Sequence, residues 1–276
     1  MLSEQQLNHY HQQGYLILHE FFSDADIKAL QRSALAIVED FDEDSTRSFF
    51  STKTDTSSRD EYFLTSDDKV RCFYEEDAFD ADGNLVRDKA LCINKIGHAL
   101  HTQDAVFNQF CQKPEIANIA KSLGQRQPEI RQSMYIFKQP KIGGIVRWHQ
   151  DATYFLTQPS SVITFWIAIE DANRKNGCLM VKPNTGQYPL IEQFKRFKDN
   201  TTSLESLDST PWPPEEDAVP LEVTRGSLIV FNGQLPHFSH ANTSSKSRHA
   251  VTLHITCGST AYDTHNWLRA EPMPIG

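Results

Sequence analysis

The feature that most constrains the fold lies between residues 129 and 257. Six short segments there, 129–137, 162–170, 178–182, 219–223, 227–231 and 248–257, read as strands separated by turn signals. Successive side chains of a strand point to opposite faces. In 162–169, Ile163, Phe165, Ile167 and Ile169 therefore share one apolar face, while Val162, Thr164, Trp166 and Ala168 share the other. In 248–255, Val251, Leu253 and Ile255 oppose Arg248, Thr252 and His254. A wholly apolar face needs a covering layer, and a mixed face suits the lumen of a two-sheet barrel that holds a polar site.

The covering layer stands upstream. Ser3 to Gln6 has the form of a capping box, and Gly14 releases the chain into the strand-like segment 15–18. Ser23 and Asp24 can cap a helix in which Ile27, Leu30, Ile37, Val38 and Phe41 recur at helical spacing. Helices at 105–112 and 114–123 follow, the second opened by Pro114 and closed by Gly124. The expected fold is mainly β with flanking helices. One domain over 1–276 is built on a double-stranded β-helix (jelly-roll, cupin-like), with the N-terminal helices packed on one sheet. Residues 1–128 supply the helical front and first strands, 129–260 the β-helix core, and 187–217 an insertion over the pocket mouth.

Within the core, the stretch GGIVRWHQD places His149 and Asp151 two residues apart. In an extended strand they point the same way, so an imidazole and a carboxylate can converge on one metal ion, and a second histidine completes a two-His-one-carboxylate face that selects Fe(II) and leaves open positions. Alone, HxD is a weak signal. Further on, two β-like runs flank the turn cluster 242–247, and a hairpin there would bring His237 and Arg248 side by side. A guanidinium beside a metal suits a 2-oxo acid, chelated at one end and held at its distal carboxylate by two parallel hydrogen bonds. His240 competes with His237, but residues three apart in a strand face opposite sides, and Ser239 shares the parity of His237. His249 and His254 are further rivals.

Composition excludes several function classes. The net charge of −9 over 276 residues gives no broad attraction to nucleic acid or an anionic membrane. No apolar run approaches the length of a membrane span, and the N-terminus reads as neither leader nor anchor, so the expectation is a soluble cytoplasmic protein. Five cysteines without a CxxC fit reduced, buried thiols. The run at 80–84 lacks the closing acidic residue of a calcium loop and reads as a hairpin turn. The polar segment 42–60 reads as an irregular loop, and Lys95, taken on its own, as a surface lysine. The basic run 195–198 is either a solvated face or a phosphate contact.

The ordered set INKIGHALH, QSMYIFKQP, HQD, FWIAIEDA, NGCL, RGSLIVF and HFS followed by SRHAVTLH resembles the phytanoyl-CoA dioxygenase family over most of the chain. The resemblance implies a non-haem Fe(II), 2-oxoglutarate-dependent oxygenase that uses O2, releases succinate and CO2, and hydroxylates an unactivated C–H of a small organic substrate. It puts the iron ligands on His149, Asp151 and His237. Its 2-oxoglutarate contacts fall on Lys95, Met134, Trp166, Ser239 and Arg248, with Gln150 between two ligands, which reverses the surface reading of Lys95. Arg147-Trp148 is not something the resemblance leads one to expect, and it leaves the shape of the substrate side of the pocket open, though not the metal site. Two other classes remain in view: a hydrolase or isomerase on another divalent metal, and a non-enzymatic jelly-roll binding module. An arginine anchor beside the ligands speaks against both.

Overall fold

The computed structural model describes residues 2–42, 48–50, 60–183 and 188–276. Most of the polar segment 42–60, and Gln187 at the start of the expected insertion, lie outside them. Helix Glu4–Gln13 carries the full capping box, with Ser3 and Gln6 each satisfying the other's backbone N–H, and ends on left-handed Gly14. Ser23 caps Asp24–Asp40, whose buried Ile27, Leu30, Ala34 and Val38 form one stripe. At 80–84 the Asp80 carboxylate accepts from the N–H groups of Asp82 and Asn84, as the tight turn expected there requires.

A nine-stranded sheet forms one wall of the domain. Its order is Tyr15–Leu18, Leu228–Asn232, Ile163–Ala168, Ala250–Cys257, Pro128–Ile136, Ile93–His98, Val70–Glu75 and Phe49–Phe50, with Met273–Pro274 added beside Pro128–Ile136. All pairings are antiparallel except that of Phe49–Phe50. A four-stranded sheet faces it, in the order Val219–Leu221, Leu179–Val181, His237–Ser239 and Val146–His149. The six expected strands are all present: those at 128–136 and 228–232 keep their expected length with a shift of one residue, and the other four are shorter by one or two residues at one or both ends. Val70–Glu75 and the hairpin of Glu192–Arg196 with Thr202–Ser206 carried no clear sequence signal.

The two-faced alternation holds. Ile163, Phe165, Ile167, Ile169, Val251, Leu253 and Ile255 pack with the helix residues Ile27, Leu30, Phe107 and Ile116 in one core. Trp166, Ala168, Ile229 and Ala250 turn inward and pack with Leu179, Val181 and Phe238 of the small sheet. A third cluster, including Phe63, Phe73, Phe155, Phe194 and Trp267, joins the 192–206 hairpin and the C-terminal segment to the barrel mouth.

One topological expectation is corrected. His237–Ser239 and Ala250–Cys257 do not form a hairpin: the first pairs with Val146–His149 and Leu179–Val181, the second with Pro128–Ile136 and Ile163–Ala168. The connection between them crosses from the small sheet to the large one. Asn242 organises that crossing by donating to the carbonyls of Lys138 and Lys246. A sheet-switching connection lets both strands be buried between neighbours, which a two-stranded ribbon at an edge does not.

Candidate active site

His237 and His149 are direct cross-strand partners in the small sheet, with ring centroids 4.0 Å apart. Each imidazole is oriented the same way by its own backbone: Nδ1 of His149 lies 2.9 Å from the Arg147 carbonyl, and Nδ1 of His237 lies 2.9 Å from that of Leu235. A carbonyl only accepts, so Nδ1 carries the proton and Nε2 keeps its lone pair, the form that binds a metal. Both Nε2 atoms lie 3.8 Å from Asp151 Oδ1. Asp151 is not in the strand as expected but opens a 3-10 turn, Asp151–Thr153. Its other oxygen accepts a short hydrogen bond from Thr164 and lies 3.5 Å from His254 Nε2.

His149, Asp151 and His237 are the one cluster among the described residues whose nitrogen, oxygen and sulfur donors are spaced to hold a metal, with all ligand atoms within 4.8 Å of one another. Burial depresses the pKa of His149 to about 3, and neighbouring His237 adds to the shift, so the ring is neutral at physiological pH. Burial alone would raise that of Asp151, but His254, His237 and His149 outweigh it and keep the carboxylate ionised. A neutral His149 and an ionised Asp151 are protonation states that metal binding needs.

A cavity of about 140 Å³ opens beside this cluster, lined by Lys95, Met134, Trp166, Ser239 and Arg248 among others. Five of the six residues that the family resemblance put near the co-substrate thus surround one space. Arg248 enters from the connection just before Ala250–Cys257, 3% exposed, with its guanidinium 5.2 Å from the Trp166 ring. Its Nε and Nη1 have no hydrogen-bond partner. Burial brings its pKa down to about 10, which leaves it charged at neutral pH. A buried cation with orphaned donors on a cavity is the setting in which an anion gains most. Lys95 is no surface lysine: it is 5% exposed, with Nζ 5.5 Å from the Phe73 ring centre and 5.6 Å from that of Phe63.

Gln150 is the exception. Strand alternation turns it away from its two neighbours, and its amide is spent on the fold, donating to the carbonyls of Pro189 and Gln234 and accepting from the N–H of Ile191. It is a brace for the ligand-bearing turn and does not face the co-substrate. Gln150→Leu leaves those backbone groups unpaired in a buried place, at about 1–3 kcal/mol each. We expect a clear fall in melting temperature in calorimetry, with co-substrate affinity of the folded fraction preserved.

His240 is on the surface, 3.8 Å from Glu215, and His249 is bonded to the Tyr135 hydroxyl, so neither reaches the cluster. Two cations of the basic run are committed elsewhere: Lys195 pairs with Glu205, and buried Arg196 donates to the carbonyls of Leu64 and Trp267. Arg147 pairs with Glu192 at 3.0 Å, and Trp148 packs on Phe238.

Lys138 is the residue that sequence reasoning passed over. It is 2% exposed, lines the cavity, and donates to Ser239 Oγ at 2.9 Å and to the Gly144 carbonyl. A lysine only donates, so the Ser239 hydroxyl accepts and its own proton is free to turn into the cavity. Burial and Arg248 hold Lys138 well below the ordinary lysine range, and burial raises Glu75 across from it. The signal was there in the parity of Gln132, Met134, Ile136 and Lys138, which runs one step past the end of the strand.

With this geometry in view, comparison with known proteins is informative. The family model for phytanoyl-CoA dioxygenase matches residues 10–250. A phytanoyl-CoA dioxygenase of Arabidopsis thaliana is 40% identical over 274 residues, covering 99% of this chain and 95% of the relative. Phytanoyl-CoA dioxygenase domain-containing protein 1 of Danio rerio is 38% identical over 297 residues, covering 100% and 98%. Among solved structures, the non-heme alpha ketoglutarate dependent carbocyclase SnoK superposes with a TM-score of 0.66 at 16% identity, over 100% of this chain and 97% of that one. EctD from S. alaskensis with 2-oxoglutarate and 5-hydroxyectoine gives 0.65 at 18%, over 100% and 88%. These structural likenesses concern the fold. No helix among the described residues is long and apolar enough to cross a membrane. The sequence match over nearly its whole length shows that the chain belongs to the phytanoyl-CoA dioxygenase family.

Proposed function

We propose that the protein is an Fe(II)- and 2-oxoglutarate-dependent dioxygenase that hydroxylates a small organic substrate. The observation that carries this reading is the pairing of an oriented His149–Asp151–His237 face with a buried guanidinium, its Nε and Nη1 unpartnered, across the same cavity. A hydrolytic metal site has no use for such an anchor. The donor set fits Fe(II), since two imidazoles and one carboxylate on one face leave the remaining positions for exogenous ligands. When bound, iron and 2-oxoglutarate together supply the activation of O2, with succinate and CO2 as co-products.

The chain's own part is positioning. Asp151 is held by Thr164, the two histidines by backbone carbonyls, and the distal carboxylate of the co-substrate by Arg248 and the hydroxyl of Ser239. Lys95, Trp166 and Met134 close the walls and keep water out. The test is consumption of 2-oxoglutarate with release of succinate, dependent on added Fe(II) and blocked by N-oxalylglycine. Absence of both iron-dependent turnover and N-oxalylglycine binding would refute it.

Lys138 adds a pH signature. Because burial depresses its pKa to about 7, it is largely neutral above that value, and an incoming dianion raises the pKa again and draws in a proton. Co-substrate affinity therefore falls as pH rises through the neutral range. Titration calorimetry in buffers of different ionisation enthalpy should register proton uptake on binding N-oxalylglycine. Lys138→Met should flatten that dependence.

A further inference from the structure

Arg147 has a place beside the site that neither the metal nor the co-substrate explains. It stands two residues before His149 in the strand Val146–His149, so its side chain takes the same face as that ligand. Both line a second cavity, which meets His149 and Asp151 from another side and includes none of Arg248, Ser239 and Trp166. The other walls are largely aromatic. Phe63 and Trp267 lie with centroids 4.7 Å apart, Phe155 stacks on His254 at 4.8 Å, and Tyr154 adds a further ring.

The guanidinium is held from outside this lining. Its Nη2 donates to Glu192 Oε2 at 3.0 Å, and its Nη1 to Oε1 at 3.5 Å, a side-by-side contact that fixes the plane of the fork. Glu192 belongs to the hairpin strand Glu192–Arg196 and does not line the cavity. As a fastener for that hairpin the pair is redundant. Its side chains are 30% and 17% exposed, and ion pairs that water reaches add little to stability. The hairpin is already tied down by Gln150, which bonds the Pro189 carbonyl and the Ile191 N–H, and by Arg196, which donates to the carbonyls of Leu64 and Trp267. A guanidinium has five N–H donors and a carboxylate across its fork engages two, so an arginine braced in this way can serve a second oxyanion.

Charge gives the sign of the guest. Among the described residues, the lining carries two basic side chains, Arg147 and Lys95, against one acid, Asp151, which is a metal ligand. His98 and His254 also line the space, but neutral or protonated they add no negative charge, so the sign does not depend on their state. A cationic guest would face Arg147 with no acid of the lining left to receive it. An anionic guest meets a planar fork already oriented by Glu192, and the rings around it suit an apolar body.

We propose that Arg147 selects the primary substrate, by binding a carboxylate on a compound whose apolar body lies between the aromatic walls. Arg147 and His149 are about 6.5–7 Å apart along the strand, so the carbon presented to the metal is not the one next to the carboxylate. The role of the cavity as a substrate chamber rests on the oxygenase reading above, while recognition by Arg147 is testable without turnover.

The experiment is titration calorimetry on the protein loaded anaerobically with Fe(II) and N-oxalylglycine, which occupies the Arg248 cavity and leaves the second one to the probes. The probes are benzoate, phenylacetate and 3-phenylpropionate, each against its own amide. At least one acid is expected to bind, with its amide roughly tenfold or more weaker, the loss expected for one charge-assisted hydrogen bond. Arg147→Gln and Glu192→Gln then separate recognition from fastening, because both remove the same ion pair and share any cost to the fold. Arg147→Gln should erase the preference for the acid, and Glu192→Gln should keep it or strengthen it. Binding of N-oxalylglycine reports that each variant is folded. Amides binding as tightly as acids, no binding of any acid, a preference that survives in Arg147→Gln, or equal loss in the two variants overturns the proposal. Should N-oxalylglycine fail to bind the unmodified protein, the co-substrate reading falls. The same probes titrated into Arg248→Met, with the other arginine gone, still decide what Arg147 binds.

Discussion

His237→Ala abolishes iron-dependent consumption of 2-oxoglutarate, and His240→Ala leaves it nearly untouched. The two histidines sit three residues apart in HFSH, and only one side of the strand can look into the lumen. His237 is 4% exposed, and its Nε2 lies 3.8 Å from the Asp151 oxygen that also faces His149, whereas His240 stands on the surface near Glu215. Removing one of three protein ligands leaves a two-donor site that does not retain Fe(II). A graded companion is Thr164→Val, which keeps every ligand but removes the hydroxyl that holds Asp151. Loss of such an outer partner costs about 10–100-fold in metal affinity. Iron titration of the three variants should therefore give none, a moderate loss and no loss for His237→Ala, Thr164→Val and His240→Ala. Equal behaviour of the two histidine variants would remove the assignment.

Arg248→Lys is expected to weaken 2-oxoglutarate binding roughly tenfold to a hundredfold, the equivalent of about 1.5–3 kcal/mol for one charge-assisted hydrogen bond in a buried place. The charge is kept, but the planar fork is lost, and the shorter reach of one ammonium cannot satisfy both distal oxygens. Iron affinity should scarcely move, because the guanidinium is no ligand. Arg248→Met separates binding from stability. With Nε and Nη1 unpartnered, burial disfavours the charged form of the arginine more than Cys178, Glu75 and Glu170 favour it. Replacing such a charge by an apolar side chain is often neutral or stabilising. The ligand-free melting temperature should hold or rise while co-substrate binding disappears. A variant that binds 2-oxoglutarate normally, or one that loses iron as well, would show that Arg248 serves the fold.

Much of this was legible in the chain because it rests on periodicity. Alternation in 162–169 and 248–255 separates the helix-packed face from the lumen face, and the same rule chooses His237 over His240. What stayed hidden depends on contacts between residues far apart in sequence. The spacing of His237 and Arg248 fits a hairpin as well as it fits a crossing between sheets, and only the non-local pairing with Val146–His149 decides between them. Lys95 owes its burial to Phe63 and Phe73. Gln150, placed between two ligands, looks like a site residue until its three backbone partners near 189–191 and 234 are brought beside it. Lys138 lies just beyond a strand end, where a charged residue ordinarily meets water.

The division of the site between two sheets has a mechanical side. The metal donors belong to the small sheet and the turn that follows it, while Trp166, Thr252 and Met134 belong to the large one and Arg248 to the connection that leads into it. On the reading proposed above, a molecule chelated at one end and gripped at the other spans the gap, so it acts as a rivet between the layers. The spacing of the layers then becomes a ruler for the length of the 2-oxo acid: a diacid one carbon shorter or longer can satisfy the metal end or the arginine end, but not both without sliding one sheet over the other.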